Sequence, residues 1–197
     1  MRSLIVAVLL FATSVPVPGG QREHLPAHEL AELLSDKKLC QEDPEKFHEL
    51  IRQAEFRRIG DPRVISALVD LLEYRWIFSW ESLLGGTNRI RPITRMDRFP
   101  ACGALAAIGK PALDQLTQVL VSGPSDSTRF ANSVAALQHI FRDVPSEGVE
   151  YLQEAIESSN SPGGKENLEA ALTCFNEQKL MFDVEGKYQG TCVSGRD

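Results

Sequence analysis

Tryptophan and arginine side chains cluster in one part of the chain, and both residue types are enriched at the centres of protein interfaces. Trp76 and Trp80 are four residues apart, and Arg89, Arg91 and Arg95 follow. We expect these five residues to form a partner-binding surface. The alternative is that both tryptophans pack onto the neighbouring helices while the arginines pair with the acidic C-terminal half of the chain.

Four cysteines permit disulfide bonds in an exported chain. They are Cys40, Cys102, Cys174 and Cys192. Sequence alone does not separate the possible pairings. Cys174 with Cys192 is the first expectation, because a C-terminal tail has the freedom to reach a partner. Cys102 and Cys174 fall inside predicted helices, where a buried free thiol is the alternative.

Histidine spacing gives no convincing metal site. His24 and His28 are four residues apart, but Pro26 interrupts a helix between them and no third ligand is near in sequence. The chain also lacks a nucleophile elbow, a His-Glu-x-x-His zinc motif and a phosphate-binding loop. We therefore expect a non-catalytic protein without a metal or cofactor.

The elements that position these residues are predicted to be helical hairpins. Between Arg98 and Leu120, small and apolar residues recur at spacings of three and four, stop at a Gly-Lys-Pro corner and resume. This pattern indicates two amphipathic helices joined by a tight turn. Gly109 is expected to close the first helix with a left-handed backbone, and Pro111 to begin the second.

The hairpin pattern repeats along the chain. The apolar pair Leu105/Ile108 recurs downstream as Leu137/Ile140 and Leu172/Phe175, and upstream as Phe56/Ile59. A recurrence of about 30–35 residues indicates stacked supersecondary units. The upstream unit turns at Gly60-Asp61-Pro62, where Asp61 is the expected N-cap and Pro62 the first helical residue.

On these corners and apolar stripes, the chain resembles HEAT repeats of the short bacterial kind, which also occur in phycobilin lyase HEAT-like proteins. The resemblance covers roughly residues 44–176. It implies an all-α fold, an α-solenoid of about four HEAT-like helical hairpins, with an N-terminal capping helix and an irregular C-terminal cap. We expect this domain to span residues 26–190, with a tail at 191–197.

Two departures from the repeat are predicted. The N-terminal helix begins at Pro26 and carries Leu30, Leu33 and Leu34 on one face. The second helix of the first hairpin is expected to continue through Trp76 and Trp80 to a pair of glycines at 85 and 86, followed by an irregular loop to residue 97. Residues 75–98 thus form an insertion, and insertions usually lie on one face of a solenoid.

The first residues have the features of a secretory signal peptide. A short basic start is followed by an apolar run at 4–12 and by small residues, which predicts a signal peptide at 1–14 with cleavage near Ser14. Residues 15–25 would be a flexible leader. The run is shorter than the roughly 20 residues of a membrane-spanning helix, so we expect no membrane span in the mature chain.

Composition narrows the class of partner. The chain has 197 residues and a formal net charge of -6. A negative protein binds the phosphate backbone poorly, so we do not expect a nucleic-acid partner. We therefore expect a periplasmic or extracellular scaffold or protein-binding module, using the concave face of the solenoid and the insertion. The alternatives are a lyase or chromophore-binding factor, as the resemblance implies, or a purely structural envelope component.

Overall fold

The computed structural model describes residues 24–77 and 94–177, and all regular structure in these two ranges is helical. Within them lie ten α-helices and a short 3₁₀ turn, with no strand. The all-α class expected from the sequence is confirmed.

The helices follow one another with short connections. The first five are α1 Ala27–Ser35, α2 Lys37–Glu42, α3 Pro44–Arg57, α4 Pro62–Asp70 and α5 Arg95–Arg98. The second five are α6 Pro100–Ile108, α7 Leu113–Ser122, α8 Thr128–Ile140, α9 Pro145–Ser158 and α10 Pro162–Glu177. The 3₁₀ turn Lys110–Ala112 joins α6 to α7.

Local sequence signals set most helix boundaries. Asp36 and Asp43 accept hydrogen bonds from the first backbone N–H groups of α2 and α3. Asp61 does the same for α4, whose first residue is Pro62, so both predictions for this corner are confirmed. Gly109 has φ of +81°, a backbone region that favours glycine, although its ψ of -141° is not that of a left-handed helix.

Helices that are not consecutive along the chain pack directly against one another. Helix α3 packs against α6, and α6 also packs against α8. Helix α4 contacts α1, α6 and α7, while α7 contacts α8. Seven of the nine residues of α6 are buried, so this helix runs through the middle of the core.

The last helix described, α10, is held by α7, α8 and α9 together. The amide Nδ2 of Asn167 donates to the carbonyl of Gly123 at the end of α7, at 2.8 Å. Gln138 on α8 donates through Nε2 to the carbonyl of Cys174, also at 2.8 Å. These buried and partly buried amides fix α10 in two directions.

The predicted long helix after Pro62 is wrong in the part that is described. Helix α4 ends at Asp70, and residues 71–73 form turns. The chain then runs beside α3, where Tyr74 makes an edge contact with Phe47, at 5.3 Å between ring centroids. The chain leaves the helical path after α4, and the Tyr74 ring packs onto α3 instead.

Three further expectations require correction. Residues 95–98 form α5 instead of the end of a loop, because Thr94 and Asp97 make a reciprocal capping box. Phe56, the expected upstream equivalent of the buried Leu105, is 66% exposed. Leu105 and Leu137 are fully buried, whereas their expected equivalent Leu172 is only partly buried.

Candidate binding cleft

The predicted partner-binding residues do not share one environment. Trp76 and Arg95 fall within the described residues, whereas Trp80, Arg89 and Arg91 lie outside them. The structure therefore describes two of the five predicted residues, and neither of these two lies in an exposed binding loop.

Arg95 is fully buried, although the sequence places it on a partner-binding surface. Its guanidinium Nη1 donates to Oδ1 of Asn132 on α8, at 2.7 Å. The Nδ2 of Asn132 in turn donates to the carbonyl of Leu72 at 2.6 Å. Arg95 thus joins α5 to α8, and Asn132 continues the network to the turn after α4. Arg95 cannot contact a partner while this packing persists.

Trp76 packs onto the neighbouring helix, as the alternative interpretation expects for the tryptophans. Its ring stacks on the imidazole of His48 on α3, with 4.2 Å between centroids and 12° between the planes. Its backbone N–H donates to the carbonyl of Arg98 at 2.8 Å. This residue therefore links α3 to α5.

A cleft of about 250 Å³ lies between α3 and the α5–α6 segment, next to this stack. We call it the α3–α6 cleft. Its lining residues come from both walls: His48, Arg52, Glu55 and Phe56 from α3, and Met96, Asp97, Pro100 and Gly103 from α5 and α6. The α3 residues share one face because Arg52 is four positions from His48 and from Phe56 and three positions from Glu55.

Burial shapes the electrostatics of the cleft. It is the main cause that raises the pKa of Glu55; the Arg52 guanidinium opposes this shift, and the Asp97 carboxylate adds to it. Burial also lowers the pKa of His48, and Arg52 lowers it further against the opposing effect of Glu49. The Nδ1 atom of His48 is buried without a hydrogen-bond partner among the described residues.

Phe56 forms the exposed rim of the cleft. The Arg52 guanidinium lies over its ring, at 5.1 Å from the centroid. Helical phase could have identified this residue, because Phe56 follows the buried Phe47 by nine positions and thus lies about 180° around the helix. The role of His48 has no such signal, because its neighbour Trp76 is distant in sequence.

The cysteines contribute no reactive group to the cleft. Cys40 and Cys102 carry free thiols, and Cys174 is buried on α10. Cys192, its expected disulfide partner, lies outside the described residues. Burial raises the pKa of Cys102 to about 12, so its thiolate form is strongly disfavoured at neutral pH.

The two N-terminal histidines, His24 and His28, are exposed. Nε2 of His28 lies 3.8 Å from Oε1 of Glu29. Within residues 24–77 and 94–177, no three His, Cys, Asp or Glu side chains are grouped so that they could hold a metal ion.

None of the helices in the described ranges has the length and apolarity needed to cross a membrane. Comparison of the chain with models of known protein families, with characterised proteins and with solved structures finds no significant match.

Proposed function

We propose that this protein is an exported, non-catalytic protein-interaction module built as a HEAT-like solenoid, and that it binds its partner at the α3–α6 cleft. The observation that carries the proposal is Phe56, a large aromatic side chain that is 66% exposed on the rim of the cleft. Exposed aromatic residues beside a recess are typical anchors for a protein partner.

The arrangement of helices supports the solenoid part of this proposal. The first helices α3, α6 and α8 lie in a row, which is the packing expected when like hairpins stack. The cleft lies between two of these first helices, so the proposed binding surface differs from the concave face expected from the sequence. It adjoins the inserted region through Trp76 and Met96.

The size of the cleft favours a protein partner over a chromophore. Sites for drug-sized molecules usually occupy about 300–1,000 Å³ and enclose most of the ligand. The α3–α6 cleft is smaller, at about 250 Å³, and accommodates one or two side chains of a partner more readily than a pigment.

Copurification from the native compartment tests this function. The full chain is expressed with its own N-terminal region, and proteins that accompany it at constant stoichiometry are identified. Phe56→Ser should remove such a partner. Val144→Ser is the matched control, because Val144 is also an exposed apolar residue, 45% exposed, but lies between α8 and α9.

Two results would contradict the proposal. If the partner is lost from both variants, or from neither, the partner does not bind specifically at the α3–α6 cleft. A bound pigment or other small molecule in place of a protein would favour the lyase or chromophore-binding alternative. The mass of the exported protein tests the export itself, because a mature chain beginning near Val15 is expected and an intact Met1 would refute it.

A further inference from the structure

Phe56 borders a second recess, of about 220 Å³, in addition to the α3–α6 cleft. We call it the N-terminal recess. One residue before α1 and four residues of α3 line it: His24, Glu49, Gln53, Phe56 and Arg57. Phe56 is the one residue common to both linings, so its exposed ring forms a ridge between the two recesses.

The chain enters the described part of the structure at the N-terminal recess. His24 is the first residue described, and it lines the recess. The carbonyl of Leu25 accepts a hydrogen bond from Nη1 of Arg57, which also lines the recess. The side chain of Leu25 packs against the hydrophobic core. The segment that precedes His24 is therefore attached at the rim of the recess, close to the exposed Phe56.

This preceding segment has a composition suited to covering an aromatic ring. The expected leader, residues 15–25, begins Val-Pro-Val-Pro and continues with two glycines at positions 19 and 20. Proline-rich segments bind aromatic surfaces well because their restricted backbone loses little entropy on binding. Val17 is seven positions before His24, a span of at most about 25 Å. The two glycines tolerate the turn that would return Val17 to the recess.

A polar atom in the N-terminal recess lacks a partner. Oε1 of Gln53 is buried with no hydrogen-bond partner among the described residues, which is unfavourable for an amide oxygen. Rotation of the amide about its last torsion would turn Oε1 toward the recess. A backbone N–H of an extended segment, such as that of Val17, would then satisfy it. This observation is independent of the exposure of Phe56 and also points to a polypeptide segment in the recess.

Attachment to the same chain makes a weak contact sufficient. A segment on a short flexible connection has an effective concentration in the millimolar range at a neighbouring site. Its docking also avoids the loss of translational and rotational freedom that a separate molecule incurs. One or two apolar side chains on Phe56 are therefore enough to populate a covered form of the recess.

We propose that residues 15–18 of this chain pack against Phe56 in the N-terminal recess, with Val17 on the aromatic ring. The contact itself stands without the proposed function, but its consequence rests on that function. A partner that anchors on Phe56 must displace the leader, so the leader is an internal competitor. It lowers the affinity of the surface for ligands that contact Phe56 alone and favours a partner that also fills the α3–α6 cleft.

NMR spectroscopy of the full exported chain tests the contact without a partner. Nuclear Overhauser effects should connect the Val17 methyl groups to the Phe56 ring, and the ring current should move the methyl resonances away from those of an exposed valine. In Phe56→Ser the methyl resonances should return to the exposed positions. Val144→Ser is the control, because it removes an exposed apolar side chain between α8 and α9 and should leave the resonances unchanged.

A blocked Val-Pro-Val-Pro peptide tests the competition. It should bind Val17→Ser about threefold more tightly than the unaltered chain, if the leader covers Phe56 for about two thirds of the time. Gln21→Ser is the matched control, since it changes the same segment outside the Val-Pro-Val-Pro stretch and should bind the peptide like the unaltered chain. Phe56→Ser should not bind the peptide. The side-chain amide resonances of Gln53 report binding.

Other results would overturn the inference. If no Overhauser effect connects Val17 to Phe56, or if the Val17 resonances are the same in Phe56→Ser, the leader does not occupy the recess. Effects that disappear on dilution would assign the recess to the leader of a second copy. Equal peptide binding to Val17→Ser and the unaltered chain would refute the competition.

The two proposals fail in distinguishable ways. If the leader contact is absent but Phe56→Ser still loses a native partner, this inference fails while the interaction function stands. If the contact is present and no native partner depends on Phe56, the leader inference stands for the contact while the interaction function fails.

Discussion

Asn132 on α8 is a fully buried amide that connects three parts of the core. It accepts from Arg95 and donates to Leu72, and its own backbone carbonyl accepts a hydrogen bond from the thiol of Cys102 at 3.2 Å. Replacing its side chain with a methyl group leaves a buried carbonyl and a buried guanidinium with fewer partners. Such groups are costly inside a protein.

Asn132→Ala should lower the free energy of unfolding by about 2–3 kcal/mol, which urea denaturation measures. Arg129→Ala is the matched control, because Arg129 also lies on α8 and bonds to the end of α4, through Asp70 at 3.1 Å, but on the surface. The control should lose less than about 1 kcal/mol. If both variants lose the same free energy of unfolding, the buried network stabilises the protein no more than a surface ion pair does.

The protonation of His48 should make stability depend on pH. Burial holds its pKa below the ordinary value of 6.5, so below that pH the unfolded chain binds a proton that the folded chain resists. The free energy of unfolding should therefore be insensitive to this residue above about pH 7.5 and fall as the pH drops through 6.5. His48→Asn should flatten part of this slope, leaving the part due to His139, whose pKa burial also lowers.

Urea denaturation of both proteins at several pH values between about 7.5 and 5.5 checks the prediction. NMR titration of His48 in the intact protein gives its pKa directly. A pKa above 6.5, or the same slope with and without the imidazole, would contradict it.

At this scale, the sequence was informative where a residue's role is local. Asp61 as an N-cap and Pro62 as the first residue of α4 follow from residue types alone. The burial of Arg95 does not, because it depends on Asn132, 37 positions later in the chain. An arginine in an apparently irregular segment carries no local sign of such a partner.

At Gly148 in α9, the low helix propensity of glycine is set against the close packing around the residue. This glycine is buried in α9, where alanine would ordinarily favour the helix by about 0.5–1 kcal/mol. A Cβ at this position would overlap Cζ of Phe175 and lie 3.0 Å from the side chain of Phe141. Steric overlap with two aromatic side chains should therefore make the Gly148→Ala substitution destabilising rather than stabilising.

Gly148→Ala should destabilise the protein by about 1–3 kcal/mol, lowering the melting temperature by about 2–4 °C per kcal/mol. Gly163→Ala is the control, because Gly163 lies in the first turn of α10 and a Cβ there meets nothing within 4 Å. That variant should be neutral or slightly more stable. Differential scanning calorimetry of the two alanine variants is the measurement, and a stabilising Gly148→Ala would mean that α9 and α10 are farther apart.

The end of α4 shows why element boundaries are harder to predict than element types. Residues 71–76 contain neither glycine nor proline, and their periodicity allows the helix to continue. Tyr74 and Trp76 instead contact Phe47 and His48, two consecutive residues of α3. Tertiary packing of these aromatic rings outweighs the local preference, and it is not visible in the segment itself.

Over the whole molecule, the repeat pattern of the sequence predicted the helical class and most of the helices between Pro44 and Glu177. It did not predict how α10 is placed. That helix contacts α7 as well as its neighbours α8 and α9, through hydrogen bonds from Asn167 and Gln138 to backbone carbonyls. Amides that bond to distant carbonyls leave no periodic trace, so this part of the architecture comes only from the structure.

The row formed by α3, α6 and α8 should unfold as one unit because α6 separates the other two and is itself almost completely buried. Leu105 lies in α6 with no exposed surface, so Leu105→Ala should cost about 2–5 kcal/mol. If the row is cooperative, Leu105→Ala should lower the free energy of opening by the same amount for the slowest-exchanging amide protons of all three helices. Native-state hydrogen exchange measures this helix by helix.

Ser66→Ala, at an exposed position on α4, is the control and should change exchange by less than about 0.5 kcal/mol. A loss confined to α6 and α3, with α8 unaffected, would divide the row into two independently stable parts. In that case the Arg95–Asn132 bond would cross a boundary between units, and Asn132→Ala should then weaken α8 without affecting α3. The two exchange patterns together distinguish a single core from a chain of separate hairpins.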